Sequence, residues 1–243
     1  MTEPLYLDET DRRRFEATVE RRLDDRVVLD RTCFYPTGGG QPGDTGVLRT
    51  ADGDREWQVT GVEGRDEIRH RLDAASGDPP AAGTRVVGEL DWERRRGHMR
   101  HHTAQHLFSA VLLEAFDART TGNQVYADRA RIDCAYPRFD DDDLAALERR
   151  VNDLVDAALP VRWYELDRAT AEAELDPDRT RIGLLPESVA EVRIVEIGPW
   201  DDPDDRTACA GTHVATTDEV GTVRVTGRET KGSDEERLSF TLR

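Results

Sequence analysis

The stretch Arg96–Phe108, RGHMRHHTAQHLF, holds four of the chain's six histidines within nine residues: His98, His101, His102 and His106. On a helix, residues four apart lie one above the other on the same face. His102 and His106 form such a pair, and so do His98 and His102. Two imidazoles stacked in this way can share one metal ion. Far downstream, CAGTH places Cys209 and His213 at the same four-residue spacing. Two short-spaced pairs of nitrogen and sulfur donors make a zinc ligand set. A long stretch of folded chain separates the pairs, unlike in a zinc finger, so a domain would assemble the site rather than the reverse. Either pair alone has a plainer reading, as polar side chains facing solvent or nucleic acid. Thr103, Ala104 and Gln105 lie between His102 and His106. The HExxH motif, with its glutamate base, is therefore absent.

These side chains need elements to position them. Trp92 to Phe116 reads as one long helix. Its first half is basic, with Arg94, Arg95, Arg96 and Arg100, and suits either an RNA phosphate or a solvated face. Its second half, LFSAVLLEAF, is apolar on more than one side and should be buried. The histidines sit where the helix enters a core. In TTGNQV, Gly122 and Asn123 signal a turn, and ARIDCAY alternates as a strand does. Asp141 to Leu159 is an amphipathic helix with Leu144, Leu147, Val151, Leu154, Val155 and Ala158 in one stripe. Asp140 to Asp143 supply its cap and a favourable N-terminal charge, and Pro160 ends it. VRWYEL and VAEVRIVEI read as strands around a short helix, ATAEAEL. CAGTH falls in a turn or short helix, and VGTVRVTG with RLSFTL closes the chain as an antiparallel pair. This order predicts an α+β domain with an antiparallel sheet over residues 92–243.

Upstream of Asp91 the pieces are short and β-patterned. Tyr6 and Leu7 can start a strand. Phe15 to Leu23 fits a strand by alternation or a helix face by its apolar positions, and is taken as one arm of a hairpin turning at Asp24–Asp25 into RVVLDRT. GVLRT, REWQVTGVEG, EIRHRL and TRVVGELDW follow, separated by turn-rich segments. Together they predict a small β-barrel over residues 1–91. Inside it lies FYPTGGGQPGDTG. Three glycines, Gly38, Gly39 and Gly40, permit positive φ and close approach of a partner. They form either a tight turn or a rigid ligand-binding loop, with backbone N–H donors and the Gln41 amide. The loop is neither a P-loop nor a dinucleotide fingerprint, so no nucleotide cofactor is expected.

Composition sets the outer bounds. The N-terminus is acidic and no long apolar run occurs, so neither a signal peptide nor a membrane span is expected. Three cysteines, Cys33, Cys134 and Cys209, make a sparse, odd set that suits a reducing cytoplasmic setting without disulfides. The net charge of −17 ordinarily speaks against a nucleic-acid ligand. Yet every basic residue but Lys231 is arginine, and aspartates run together in FDDDDL and WDDPDD. That pattern resembles halophilic proteins working in molar salt, where the Debye length is about 3 Å and global charge does not repel RNA at range. The acid runs themselves read as solvated surface.

FYPTGGGQPGDTG, DWERRRGHMRHHTAQHL, TTGNQV, RIVEIG and CAGTHV, in this order, resemble the longer AlaX proteins, free-standing relatives of the editing domain of alanyl-tRNA synthetase. HTAxH with CxGTHV belongs to the editing superfamily that also includes threonyl-tRNA synthetase, and GGGQP marks the alanyl branch. Ala210 departs from the family's usual CGGTH. The resemblance implies zinc held by His102, His106, Cys209 and His213, with His98 and His101 outside the set. It implies hydrolysis of the aminoacyl ester in mischarged tRNA(Ala), chiefly seryl-tRNA(Ala) and also glycyl-tRNA(Ala), without ATP. The family's selectivity residue, threonine or glutamine, stands five positions before the strand valine. That implies Thr120, with Thr121 as the alternative. The same motifs leave room for an editor of threonine tRNA, or for an RNA-binding module whose zinc is structural.

Overall fold

The computed structural model describes residues 1–177, 179–180, 182–186 and 189–243. It is an α+β protein that divides into two compact units, Met1–His98 and Met99–Arg243. Among the described residues no helix is long and apolar enough to cross a membrane.

The first unit contains β1 (Glu3–Pro4), β2 (Arg14–Arg22), β3 (Arg26–Leu29), β4 (Arg31–Thr32), β5 (Gly46–Thr50), β6 (Glu56–Glu63), β7 (Arg69–Leu72) and β8 (Arg85–Leu90). Six of these close into a barrel in the order β2-β3-β7-β6-β5-β8, while β1 pairs in parallel with β4. The alternation of Phe15, Ala17 and Val19 is that of a strand: all three are buried, and the polar residues between them are more exposed. They pack with Val27, Leu29, Phe34, Leu48, Trp57, Val59 and Val86 in one core. Gly88 is required here, because a Cβ at that position would lie 2.4 Å from the Phe15 ring. Two local expectations fail. Leu5–Leu7 is a turn of 3-10 helix rather than a strand. RVVLDRT breaks at Asp30 into β3 and β4, where Asp30 instead accepts a hydrogen bond from the Thr18 N–H, 2.8 Å.

The glycine run makes a two-residue reverse turn. Gly38 and Gln41 exchange backbone hydrogen bonds of 3.0 and 2.9 Å, and the central Gly39 and Gly40 have φ of 57° and 80°. Two successive positive φ values define the I′ type, which only glycine and a few small polar residues adopt cheaply. The Tyr35 hydroxyl donates to the Gly38 carbonyl, 2.9 Å, and the Thr37 N–H donates to the Val62 carbonyl, 2.9 Å. Gly38 and Gly39 are exposed at the tip, and Gln41 is buried.

Below the turn, Asp44 and Arg95 form a fully buried ion pair. Arg95 also donates to the carbonyls of Thr10, 2.9 Å, and Cys33, 2.6 Å. Asp44 accepts from the Tyr35 N–H, 2.7 Å. Arg95 is thus no part of a solvated or phosphate-binding face, because a buried carboxylate claims its guanidinium.

The barrel also buries His70. Its Nδ1 donates to the Val27 carbonyl, 3.3 Å, so its Nε2 accepts from the Thr32 hydroxyl, 2.8 Å. The Thr32 oxygen in turn accepts from the Phe34 N–H, 3.1 Å. Burial, which disfavours the charged ring, pushes the His70 pKa down from 6.5 to about 4. Between those pH values the unfolded chain binds the extra proton, so stability falls as pH drops from 6.5 towards 4. The expected loss is about 3 kcal/mol. Denaturation of wild type and His70→Gln between pH 7 and 4 checks this. The variant should lose stability less steeply across that window, and parallel curves would contradict the assignment.

In the second unit, α1 (Trp92–Phe116, begun in the first) runs to β9 (Thr120–Val125) and β10 (Ala130–Cys134). Then follow α2 (Asp141–Asp156), β11 (Val161–Asp167), α3 (Arg168–Glu174), β12 (Glu191–Ile197), β13 (Asp205–Ala208), β14 (Val223–Thr230) and β15 (Glu236–Leu242). One sheet has the order β14-β15-β10-β9, the other β11-β12-β13, and both are antiparallel. From His101 to Ser109 every residue of α1 is buried, polar side chains included, whereas the expected burial of LFSAVLLEAF fails at its end, where Glu114 and Ala115 are exposed. Asp140 and Asp143 form a reciprocal capping box at the start of α2. Gly122 and Asn123 lie within a strand, not a turn: Gly122 pairs with Asp133 and Asn123 with Ile132. The reversal comes later, where the Tyr126 N–H donates to the Arg129 carbonyl, 2.8 Å.

Candidate metal centre

The helix α1 sets His102 and His106 one turn apart, with ring centroids separated by 5.3 Å. The loop after β13 brings the other pair. The Cys209 N–H continues the strand pairing to the Arg193 carbonyl, 3.0 Å. The Arg193 guanidinium then donates to the carbonyls of Cys209, 2.8 Å, and Gly211, 3.1 Å, which fixes the turn. Ala210 is exposed and has no positive φ, so this turn does not need the glycine that the family usually has there.

The ring of His213 lies 4.5 Å from that of His102 and 4.7 Å from that of His106. Cys209 Sγ is 3.6 Å from His102 Nε2 and 3.5 Å from His213 Nε2. One donor atom from each of His102, His106, Cys209 and His213 lies within 4.8 Å of the others, a group that could hold a metal ion. Three imidazoles and one thiol suit a borderline divalent ion.

A second layer orients these donors. His106 Nδ1 donates to Asp205 Oδ2, 2.8 Å, which leaves Nε2 for the centre. His213 Nδ1 meets Thr103 Oγ1 at 3.2 Å, and the same oxygen accepts from the Val214 N–H, 3.3 Å. The Gly211 N–H donates to Cys209 Sγ, 3.3 Å. Burial would raise the Cys209 thiol, but His102, with hydrogen bonds from the surrounding rings, holds it well below its ordinary range. Burial would likewise raise Asp205, but Arg179 and His106 hold it below the usual carboxylate value. The centre is thus built to carry an anionic sulfur and an anionic carboxylate.

Thr120 begins β9 facing α1, and its hydroxyl is 2.8 Å from that of Ser109, three residues after His106. Asn123 Nδ2 donates to Gln105 Oε1, 2.6 Å. These two contacts join β9 to the stretch of α1 that carries the histidines. Thr121 is exposed and donates instead to Glu235, 2.6 Å. His98 and His101 are buried, and His101 stacks on Phe240.

The chain is similar over its whole length to proteins named alanyl-tRNA editing protein AlaX-M. It is 41% identical to that of Methanosarcina barkeri, covering all of this chain and 99% of the relative. It is 36% identical to that of Methanosarcina mazei, covering all of this chain and 97% of the relative. The chain belongs to the AlaX-M family. It is also 37% identical to the alanine–tRNA ligase of Pyrobaculum calidifontis, covering 99% of this chain and 27% of that longer protein. Two family descriptions match segments of it. Residues 6–94 match class II (A) tRNA synthetases, and residues 192–239 match the second additional domain of threonyl and alanyl tRNA synthetases.

Within this AlaX-M chain, several residues around the centre give little signal in the sequence. Asp205 is the last residue of WDDPDD, a run that reads as solvated surface, yet it is 3% exposed. Its one distinguishing mark is its place four residues before Cys209. Thr103 lies inside the helix motif and Ser109 just after it, and both look like ordinary helix positions. Arg179 stands in no recognisable motif, and Arg193 opens RIVEIG, where it reads only as a strand residue.

Proposed function

We propose that this chain is a trans-editing hydrolase that deacylates mischarged tRNA(Ala), chiefly seryl-tRNA(Ala) and also glycyl-tRNA(Ala), at a zinc centre. The supporting observation is the convergence of His102, His106, Cys209 and His213 in a full-length AlaX-M relative. Zinc fits these donors. Tetrahedral bonds of ~2.3 Å to sulfur and ~2.0 Å to nitrogen put the two atoms about 3.5 Å apart. The Sγ–Nε2 separations here are 3.6 and 3.5 Å. A bound zinc ion would supply positive charge beside the ester or the substrate amine.

Four protein ligands fill a tetrahedral shell, so selectivity falls to neighbouring side chains. The substrate to cut and the one to spare, seryl- and alanyl-tRNA, differ by one hydroxyl. A site that hydrogen-bonds a hydroxyl can reject the analogue lacking it by about 10⁴–10⁵, because its own polar groups would be left unpaired. We assign that contact to Thr120, whose hydroxyl is held by Ser109 beside the ligand helix. Thr121 is the alternative. Gly38, Gly39, Gly40 and Gln41 are assigned to substrate binding, on the strength of the rigid turn and its exposed glycine tip.

The deciding experiment is a deacylation panel of seryl-, glycyl- and alanyl-tRNA(Ala) and seryl-tRNA(Thr), with and without chelator. Metal-dependent cleavage of seryl-tRNA(Ala), sparing alanyl-tRNA(Ala), is expected. Cleavage of the threonine tRNA alone would move the substrate to the other branch, and tRNA binding without turnover would make this an RNA-binding module. Thr120→Val preserves shape but removes the hydroxyl. It is expected to cost about 1–3 kcal/mol. That corresponds to roughly 5- to 150-fold in kcat/KM for seryl-tRNA. Glycyl-tRNA has no side-chain hydroxyl and should change far less. An equal loss on both substrates would argue against recognition, and a serine-specific loss only in Thr121→Val would shift the role one residue along.

A further inference from the structure

We propose that Arg179 and Asp205 are positioning residues for the metal centre, the arginine holding the carboxylate and the carboxylate holding the His106 ring with its Nε2 towards the other ligands. This rests on the zinc reading above. Arg179 Nε donates to Asp205 Oδ1, 2.6 Å, and its Nη2 to Oδ2, 2.7 Å. Oδ2 also accepts from His106 Nδ1, 2.8 Å. One oxygen therefore joins the guanidinium to the ligand ring. The Asp205 side chain is 1% exposed, so water does not offer an alternative partner.

The arrangement fixes three things at once. The fork is planar and bidentate, so it sets the plane of the carboxylate. The carboxylate accepts only, so it requires the proton of His106 on Nδ1 and leaves the Nε2 lone pair for the ion. The buried negative charge has a fixed positive partner, so Asp205 need not compete with the Cys209 thiolate for the positive charge of the ion.

The plainer reading is an ion pair that only fastens Arg179 and Thr180 to β13. That fastening has other bonds. The Thr180 hydroxyl accepts from the Ala208 N–H, 3.0 Å, and the Thr207 hydroxyl donates to the Arg179 carbonyl, 3.3 Å. The guanidinium is free to serve the carboxylate.

The test reads metal affinity, by competition with a chromophoric chelator, and the visible spectrum of the cobalt-substituted protein. Asp205→Ala is expected to weaken zinc binding about 10- to 100-fold and to alter the cobalt spectrum. Asp205→Asn keeps an oxygen for His106 Nδ1 and should stay within a few-fold of wild type, as an orienting bond predicts and a charge effect does not. Arg179→Met should weaken binding less than Asp205→Ala. Asp205→Ala leaves a cation without its partner and can disturb folding. The double variant Asp205→Ala/Arg179→Met removes that charge and should fold while still binding zinc as weakly as Asp205→Ala. Wild-type affinity in Asp205→Ala or in the double variant would overturn the inference while leaving the zinc reading intact. A wild-type protein that takes up no zinc would overturn both.

Discussion

His106→Ala and Cys209→Ala proteins are expected to take up little or no zinc and to retain less than ~1% of wild-type deacylation of seryl-tRNA(Ala). Each substitution deletes a donor atom outright, so the loss should exceed the 10- to 100-fold in metal affinity typical of removing an orienting partner. Cys209→Ala removes the one sulfur, which the surrounding histidines hold well below its ordinary pKa. It also leaves the Gly211 N–H without its acceptor. His106→Ala removes a ring and leaves Asp205 with Arg179 alone. His98→Ala is the matched control, because His98 is absent from the converging group although it lies one turn before His102. Metal analysis on folded protein checks all three. Full zinc in either ligand variant would end the assignment, and zinc loss in His98→Ala would mean that the helix, not the ligand set, had been damaged.

The convergence of His102, His106, Cys209 and His213 was legible because a four-residue spacing on a helix or in a tight turn fixes geometry locally. HTAQH and CAGTH each specify half of a centre without reference to the rest of the chain. The barrel was legible for a similar reason: Phe15, Ala17 and Val19 alternate, and alternation is a local property. What depends on distant partners was not legible. Asp205 stands among acidic residues that are exposed or half-buried, and only its contacts with Arg179 and His106, 26 and 99 residues away, separate it from them. Arg95 sits in a run of arginines and looks solvated until Asp44, 51 residues earlier, is found beside it. Gly122 looked like a turn residue by composition, yet pairing with β10 keeps it in a strand. There tertiary pairing overrides local propensity.

The buried pair of Asp44 and Arg95 carries the second large expected effect. Arg95→Met retains much of the side chain's apolar volume but removes the cation, leaving the Asp44 carboxylate 1% exposed with the Tyr35 N–H still donating to it. Breaking a buried pair from one side costs about 3–5 kcal/mol, because the surviving charge stays out of water. Hydrogen exchange of the barrel amides in β5 and β8 should lose protection accordingly. Adding Asp44→Asn should recover part of the loss, because a neutral amide oxygen can still accept from Tyr35. Unchanged protection in Arg95→Met would mean that the pair contributes nothing to the barrel, and no recovery in the double variant would point to the lost bonds to Thr10 and Cys33 instead. The pair also bears on function. Asp44 and Tyr35 are bonded to each other on either side of the glycine turn, and the Tyr35 hydroxyl holds Gly38. If Gly38–Gln41 bind the substrate as proposed, loosening their anchor should lower kcat/KM for seryl- and glycyl-tRNA by the same factor. Thr120→Val, by contrast, should affect the seryl substrate selectively. The ratio of the two losses therefore separates a loop that holds the tRNA ester in general from a hydroxyl that reads its side chain.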